Sequence, residues 1–176
     1  TRIAGTIRGS IGLVARDDRS FSFRLTGRQN LDFFARLEQL TRTERTQRVR
    51  QALEDVQLLE AADRPFRTYS SGMRQRLSLA RALIGEPRLL LMDEATSGLD
   101  PGKRDRFYDL LERLIDERGI GVLFCTHDLS EAQYVCHRVV LLDSGGVVAR
   151  GTYREVESAA EEVFRRHATE RGAGGT

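Results

Sequence analysis

A short apolar run that ends in two acids constrains the fold more than any other feature. Residues 89–94 read LLLMDE, so four apolar side chains lead directly into Asp93 and Glu94. A run of this length, bounded by charged and turn residues, is typical of a buried strand in a parallel sheet. Open α/β sheets bind ligands at the carboxyl edge of their strands. The sequence therefore places this acidic pair, Asp93 and Glu94, at a ligand-binding edge.

Helix and strand patterns alternate on both sides of this strand. IGVLFCT at 120–126 is a second apolar run and predicts another buried strand. Between the two runs, Asp100 and Pro101 predict the start of a helix that Gly119 ends. The alternation over 73–142 predicts an α/β fold, a parallel sheet with helices on both faces.

The segments outside this region complete the predicted organisation. Residues 26–72 carry helix patterns without strand signals and predict an inserted α-helical subdomain, with Thr26 and Gln29 as a capping box. A second helix is expected there from about 43 to 59. The remaining expectations are strands in TRIAGTIRG and IGLVA at 1–15, a hairpin turning at 144–146, a helix over about 153–167 and a frayed tail, RGAGGT.

Composition excludes several classes of protein. The chain has 31% charged and 40% hydrophobic residues, as ordinary globular domains do. The net charge is only +2 and the basic residues are spread along the chain, so no nucleic-acid partner is predicted. No apolar run is long enough to span a membrane. The two cysteines, Cys125 and Cys136, have no metal-site or redox spacing and are expected to be buried, reduced thiols.

Two adjacent acids at a strand end have a known chemical use. One carboxylate can hold Mg²⁺, directly or through water, and the next can polarise a water molecule for attack on a phosphoryl group. The alternative is purely structural, a helix cap beside a solvated charge. The acids alone do not decide between these interpretations.

Three segments in a fixed order favour the chemical interpretation. They are YSSGMRQRLSLARAL, RLLLMDEATSGLDP and LFCTHDLSEA. Together they resemble the nucleotide-binding subunit of ATP-binding cassette (ABC) transporters, in which a signature loop, an acidic pair, an SGLD-like loop and a histidine follow one another. The resemblance covers about residues 1–155. It implies a P-loop NTPase-like fold for that part, with 156–176 as a C-terminal helix and disordered tail.

The resemblance also implies roles for single residues. Asp93 would bind Mg²⁺ through water, Glu94 would be the general base, and His127 would contact the terminal phosphate of ATP. Asp100 would touch the opposite subunit. The signature loop, Ser70, Ser71 and Gly72, would meet the terminal phosphate at a helix N-terminus, where backbone N–H groups favour an anion.

Two departures from the family pattern affect these roles. Ser71 stands where glycine is commoner, and Met73 where glutamine is. Arg16 stands about where the family has a glutamine that links the nucleotide to the membrane partner, and DDRS at 17–20 is an odd insertion there. Whether any residue replaces that glutamine is left open by the sequence.

The sequence has no phosphate-binding loop of the form GxxxxGK[ST]. The single lysine, Lys103, lies in SGLDPGKRD, where Ser97 and Arg104 break the pattern. In the family this loop precedes the strands with which the present sequence opens. The simplest interpretation is that the N-terminal strand and phosphate loop are missing, and that the chain alone is inactive.

The implied function is an ATP-binding and ATP-hydrolysing subunit of an exporter of polysaccharide, lipid or drug type. ATP and Mg²⁺ would be its cofactors. A transmembrane permease subunit and a second nucleotide-binding domain, in a homodimer or pseudo-dimer, would be its partners at the cytoplasmic face of the membrane. Two alternatives stay open, a soluble ABC-type ATPase not linked to transport and a degenerate regulatory cassette.

Overall fold

The computed structural model describes residues 10–16 and 20–173, with side chains as far as 166. Contacts between Cα atoms divide the chain into two compact units, residues 1–125 and 126–176. The strand expected within residues 1–9 lies outside the described residues, as do 17–19 of the DDRS segment and 174–176 of the expected tail. The predicted domain division near residue 155 rests on the family resemblance and stays a prediction.

A parallel sheet forms the centre of the first unit. Its strands β1 (Ile11–Ala15), β2 (Leu89–Asp93) and β3 (Gly121–Cys125) pair in the order β1-β2-β3. All pairs among them are parallel, with Ala15, Asp93 and Cys125 in register at the carboxyl ends. The α/β prediction is therefore confirmed, and the sheet edge with the acidic pair lies where the sequence put it.

Four α-helices lie in the described part of the same unit. They are α1 (Gly27–Leu37), α2 (Arg42–Asp55), α3 (Ser71–Leu83) and α4 (Pro101–Arg118). The predicted capping box is present, since Thr26 accepts from the Gln29 backbone and Gln29 reaches back to the Thr26 N–H. The helix expected over 43–59 ends earlier, at Asp55, and two short 3-10 helices complete the segment, Leu59–Ala61 and Phe66–Thr68.

The two faces of the sheet differ in their burial. Val14, Leu90 and Met92 lie on the covered face and are fully buried. On the other face Leu13, Leu91 and Leu123 stand side by side in register, yet Leu13 is 53% and Leu123 56% exposed. The expectation that β3 is a buried strand is therefore wrong. Among the described residues β3 pairs only with β2, so it is an edge strand of this sheet.

The second unit is an α/β layer built on a hairpin. Strands β4 (Val139–Asp143) and β5 (Gly146–Gly151) pair antiparallel, as predicted. Helix α5 (Leu129–Val135) precedes the hairpin, and α6 (Tyr153–Ala173) packs on it. Helix α6 continues six residues beyond the expected end at 167, because the next four residues, ATER at 168–171, contain no proline or glycine that would stop it.

The expectation of two buried thiols is also wrong. Cys125 is exposed, because it lies at the end of the edge strand β3, and Cys136 is half-buried. Burial, and then the nearby Glu131 carboxylate, raise the pKa of the Cys136 thiol. Within the described part of the chain, no helix is long and apolar enough to cross a membrane.

A buried asparagine fixes the entry to the helical subdomain. Asn30 on α1 is only 2% exposed. Its side-chain oxygen accepts from the Ser22 N–H at 2.8 Å, and its amide donates to the carbonyls of Ser22 and Thr26 at 3.1 and 3.0 Å. Asn30 thereby holds the loop before α1 against the helix.

Asn30→Ala should lower the free energy of unfolding of the chain by about 1–3 kcal/mol, because the backbone groups at Ser22 and Thr26 lose a buried partner. Urea unfolding followed by circular dichroism measures the change. Gln51→Ala is the matched control, since Gln51 is an exposed helical amide that donates to the Asp55 carboxylate at 3.0 Å, and it should change stability by less than about 0.5 kcal/mol. An equal effect of the two substitutions would contradict the role given to Asn30.

Candidate functional site

The acidic pair lies at the point where β2 leaves the sheet. Asp93 is the last residue of the strand and is exposed, and Glu94 follows it half-buried. The Glu94 N–H donates to the carbonyl of Cys125 at the end of β3, with an N···O distance of 2.9 Å. This bond continues the ladder between β2 and β3 by one residue, so the backbone beneath Glu94 belongs to the sheet.

Glu94 has a left-handed backbone, with φ of 45°. Such a conformation costs a residue with a Cβ atom about 1–2 kcal/mol relative to the right-handed region. Asparagine and aspartate adopt this conformation more readily than glutamate does. Gln39, Gln57, Glu86 and Ser144 also have a positive φ, between 49° and 56°, so the conformation of Glu94 does not by itself mark a functional site.

Arg16 forms an ion pair with Glu94. Its guanidinium Nη1 lies 3.2 Å from Glu94 Oε2, and the two side chains are 58% and 34% exposed. The parallel register of β1 and β2 explains the meeting, because Ala15 is paired with Asp93 and the next residues are Arg16 and Glu94. An ion pair this exposed contributes only about 0–1 kcal/mol to stability. The pair is therefore not needed to hold the sheet together.

The signature loop lies at the start of α3. Ser70 is the N-cap of this helix and accepts from the Met73 N–H at 3.3 Å, while Ser71 and Gly72 form its first turn. Further along the helix Gln75 is only 7% exposed, and its amide donates to the Ala15 carbonyl at 3.4 Å. Helix α3 is thus tied to the end of β1, beside the acidic pair.

Lys103 connects two of the predicted site segments. Asp100 caps α4 and accepts from the Lys103 N–H at 3.1 Å, and the Lys103 ammonium also pairs with its carboxylate. The same ammonium lies 3.5 Å from Ser71 Oγ, and a Cβ on Gly72 would come within 3.2 Å of the lysine stem. The structure therefore brings Asp100 and the signature loop together through Lys103. The sequence indicated no role for this lysine, because the residues around it do not form a phosphate-binding loop.

Lys103 also stabilises the ionised form of the Asp100 carboxyl group. Its side-chain hydrogen bond, followed by that of its backbone, holds the pKa of Asp100 below the ordinary value. The only signal for this contact in the sequence is the spacing of three residues between an N-cap acid and a lysine in the first helical turn.

A cationic cavity of about 450 Å³ adjoins the signature loop. Arg76, Lys103, Arg106 and Arg113 are among the residues that line it. Burial, and then repulsion from Arg106, lower the pKa of Arg76, because its charge is poorly solvated and lies near another cation. The surroundings of the loop therefore favour an anionic ligand.

His127 belongs to the second unit. It is exposed and lies between Thr126 and the α5 cap Asp128, whose N–H donates to Thr126 Oγ1 at 3.0 Å. The predicted contact of His127 with a terminal phosphate stays a prediction. Mg²⁺ in phosphate sites is held by one or two carboxylates together with water and phosphate oxygens, so Asp93 is a sufficient protein donor for the predicted ion.

The loop after the acidic pair turns on a glycine with a left-handed backbone. Gly98 has φ of 88°, and a Cβ placed on it would meet nothing within 4 Å. Before it, the Ser97 N–H donates to the Glu94 carbonyl at 3.0 Å, and after it the Leu99 N–H donates to the Thr96 carbonyl at 3.0 Å. These turns lead the chain from Glu94 to the Asp100 cap.

Comparisons with known proteins identify the family of the chain. The family model described as ABC transporter matches residues 2–97, more than half of the chain. YdbJ of Bacillus subtilis, an uncharacterized ABC transporter ATP-binding protein, is 37% identical over 88% of this chain and 50% of its own length. The doxorubicin resistance ATP-binding protein DrrA of Mycobacterium tuberculosis is 37% identical over 86% of this chain and 44% of its own.

A solved structure shows the same fold. It is cbiO1 from Clostridium perfringens, described as part of the ABC transporter complex cbiONQ, with a TM-score of 0.78 and 30% identity over 95% of this chain and 66% of that one. The chain belongs to the ABC transporter family. It spans about half the length of the curated bacterial relatives it matches.

Gly98→Ala should destabilise the chain by about 1–2 kcal/mol, because alanine pays the left-handed backbone cost even where its methyl group has space. Gly102→Ala is the matched control. Gly102 lies four residues later in the first turn of α4, with no positive φ, so alanine should be neutral there or stabilise by up to about 1 kcal/mol. Urea midpoints of the two variants measure the difference, and equal midpoints would contradict the strained-turn geometry.

Proposed function

We propose that this chain is part of an ATP-hydrolysing subunit that drives transport through a separate membrane permease. The observation that carries the proposal is the acidic pair at the carboxyl edge of the sheet, with helix α3 anchored beside it. Membership of the ABC transporter family supports the same function.

The two acids have different roles in this proposal. Asp93, exposed at the strand end, would hold Mg²⁺ through water, and the chemistry supplied there would be neutralisation of phosphate charge. Glu94 accepts a proton from the water that attacks the terminal phosphate. His127 contacts that phosphate from the segment after β3. The identity of the base and of the metal ligand follows from their positions in the family motif.

The signature loop acts on the nucleotide of a second copy or a related domain. Ser70 and the first-turn N–H groups of α3 form an anion site at a helix N-terminus, and the neighbouring arginines add positive charge. Asp100, held by Lys103, stands next to this loop, where it would touch the opposite subunit. Two domains would thus close over two ATP molecules at the cytoplasmic face of the membrane.

The direction of transport is proposed from the relatives. DrrA is named for doxorubicin resistance, a property that fits removal of a drug from the cell. We therefore infer an exporter with a substrate of polysaccharide, lipid or drug type, and the name of DrrA favours the drug type. The substrate contacts would lie in the permease, and no side chain of this chain is assigned to them.

Glu94→Gln in the full-length protein that contains this chain should lower ATP turnover by about 10²–10⁴-fold, because glutamine keeps the size of the base but cannot accept the proton. ATP should still bind, and the ATP-closed dimer should accumulate. Phosphate release measures turnover, and gel filtration with and without ATP and Mg²⁺ measures the dimer. Glu112→Gln, an exposed carboxylate on α4, is the control and should hydrolyse ATP at the parent rate.

Asp93→Asn should differ from Glu94→Gln in its binding behaviour. Loss of the carboxylate removes a ligand of Mg²⁺, so the Mg²⁺-dependent part of ATP affinity should fall together with turnover. Parent-like turnover in Glu94→Gln would show that the acidic pair has another role.

The 176-residue chain by itself should not bind ATP at millimolar concentration, because the sequence supplies no GxxxxGK[ST] cradle. Losing even two charge-assisted hydrogen bonds of about 1.5–3 kcal/mol each weakens binding on the order of a thousandfold. Isothermal titration calorimetry tests this expectation. A micromolar dissociation constant would mean that another phosphate site exists within these residues.

A further inference from the structure

An arginine faces the proposed general base from the neighbouring strand. Arg16 is the first residue after β1 and Glu94 the first after β2, and their side chains meet at 3.2 Å although 78 positions separate them in sequence. The ABC family usually has a neutral glutamine about here. The contact therefore gives this chain a charged partner for the base that the motif alone does not assign.

We propose that Arg16 is a positioning residue for ATP hydrolysis, which holds the Glu94 carboxylate in its working orientation. The proposal rests on the proposed function of Glu94 as the base. Arg16 itself is not assigned a contact with nucleotide or water, and it acts through the carboxylate alone.

The geometry of a carboxylate explains how this works. Glu94 has two acceptor oxygens in one plane, and the bond from Arg16 to Oε2 restricts the rotation of that plane about the side chain. A general base that is oriented by a third group is the usual arrangement in sites that activate a nucleophile. A hydrogen bond from a guanidinium is about twice as strong as one from a neutral amide, so arginine orients the base more firmly than glutamine would.

Helix α3, which begins with the signature loop, holds the chain on both sides of Arg16. Gln75, buried on α3, donates to the carbonyl of Ala15, the residue before Arg16. Arg81, one turn and a half further along α3, donates to the Leu13 carbonyl at 3.1 Å and to Ser20 Oγ at 2.8 Å. The end of β1 is therefore held on both sides of Arg16 by one helix. This anchoring lets a flexible, half-exposed arginine have a defined position.

The contribution of this ion pair to folding is small, as its exposure indicates. Arg50 and Glu54 form an ion pair with nearly the same exposure, 68% and 36%, within helix α2. The Arg50 pair is thus a control for the loss of an exposed arginine that does not face the acidic pair.

The test compares Arg16→Ala, Arg16→Lys and Arg50→Ala in the full-length protein, with kcat and KM for ATP measured separately. Arg16→Ala should lower kcat about 10-fold with little change in KM, because a misplaced catalytic group costs rate and not binding. Arg16→Lys should recover part of that loss, since it keeps the charge but not the planar guanidinium. Arg50→Ala should match the parent, and all three should unfold at parent-like temperatures.

A double variant separates positioning from a general structural effect. The carboxylate of Glu94→Asp is set back by one methylene group, which lengthens the 3.2 Å contact with Arg16. Arg16→Ala should therefore change kcat less than about twofold in a Glu94→Asp background, by the non-additivity expected of groups that act as a unit. A full 10-fold loss in that background would overturn the proposal, because Arg16 would then act independently of Glu94.

Two other results for the kcat of Arg16→Ala would also overturn the inference. A parent-like kcat in Arg16→Ala would overturn the inference, and a higher kcat would show that the ion pair restrains the base instead of orienting it. Either result, combined with an inactive Glu94→Gln, leaves the proposed function intact. An active Glu94→Gln would remove the base itself, and the inference about Arg16 with it.

Discussion

The parallel pairing of three short strands is the constraint on which the site depends. Because β1, β2 and β3 run in the same direction and in register, their last residues meet at one edge. The acidic pair, Arg16 and Cys125 come together there from three distant parts of the sequence. A one-residue slip would turn every side chain to the other face, so the alternation of buried Val14, Leu90 and Met92 with their neighbours also fixes the site.

The N-caps of two helices are the second feature that organises the site. Ser70 begins α3 and Asp100 begins α4, and each side chain caps the N-terminus of its helix. Lys103 joins the two N-termini, because its ammonium pairs with Asp100 while its stem lies against Gly72. The residue whose N–H is bound by the Asp100 cap thus also holds the signature loop beside the start of α4.

Stability and function make opposite demands at the edge of the sheet. Glu94 keeps a left-handed backbone that glycine would adopt more readily, and Leu13 and Leu123 expose apolar surface on one face. Neither feature helps these residues to fold. The proposed role as a base would explain why a glutamate is kept at this position, although Gln39, Gln57, Glu86 and Ser144 show that the conformation also occurs away from the site.

The sequence by itself determined the helices, their caps and the position of the acidic pair. Those features depend on neighbours within a few residues, such as Thr26 with Gln29, or Asp100 with Pro101. The ion pair of Arg16 with Glu94, the bridge from Lys103 to Ser71 and the hydrogen bond from Gln75 to Ala15 join distant residues, so only the tertiary structure decided them. The exposure of β3 and Cys125 could not be predicted from the sequence for the same reason. An apolar pattern shows that a strand could be buried, whereas its neighbours in the sheet decide whether it is.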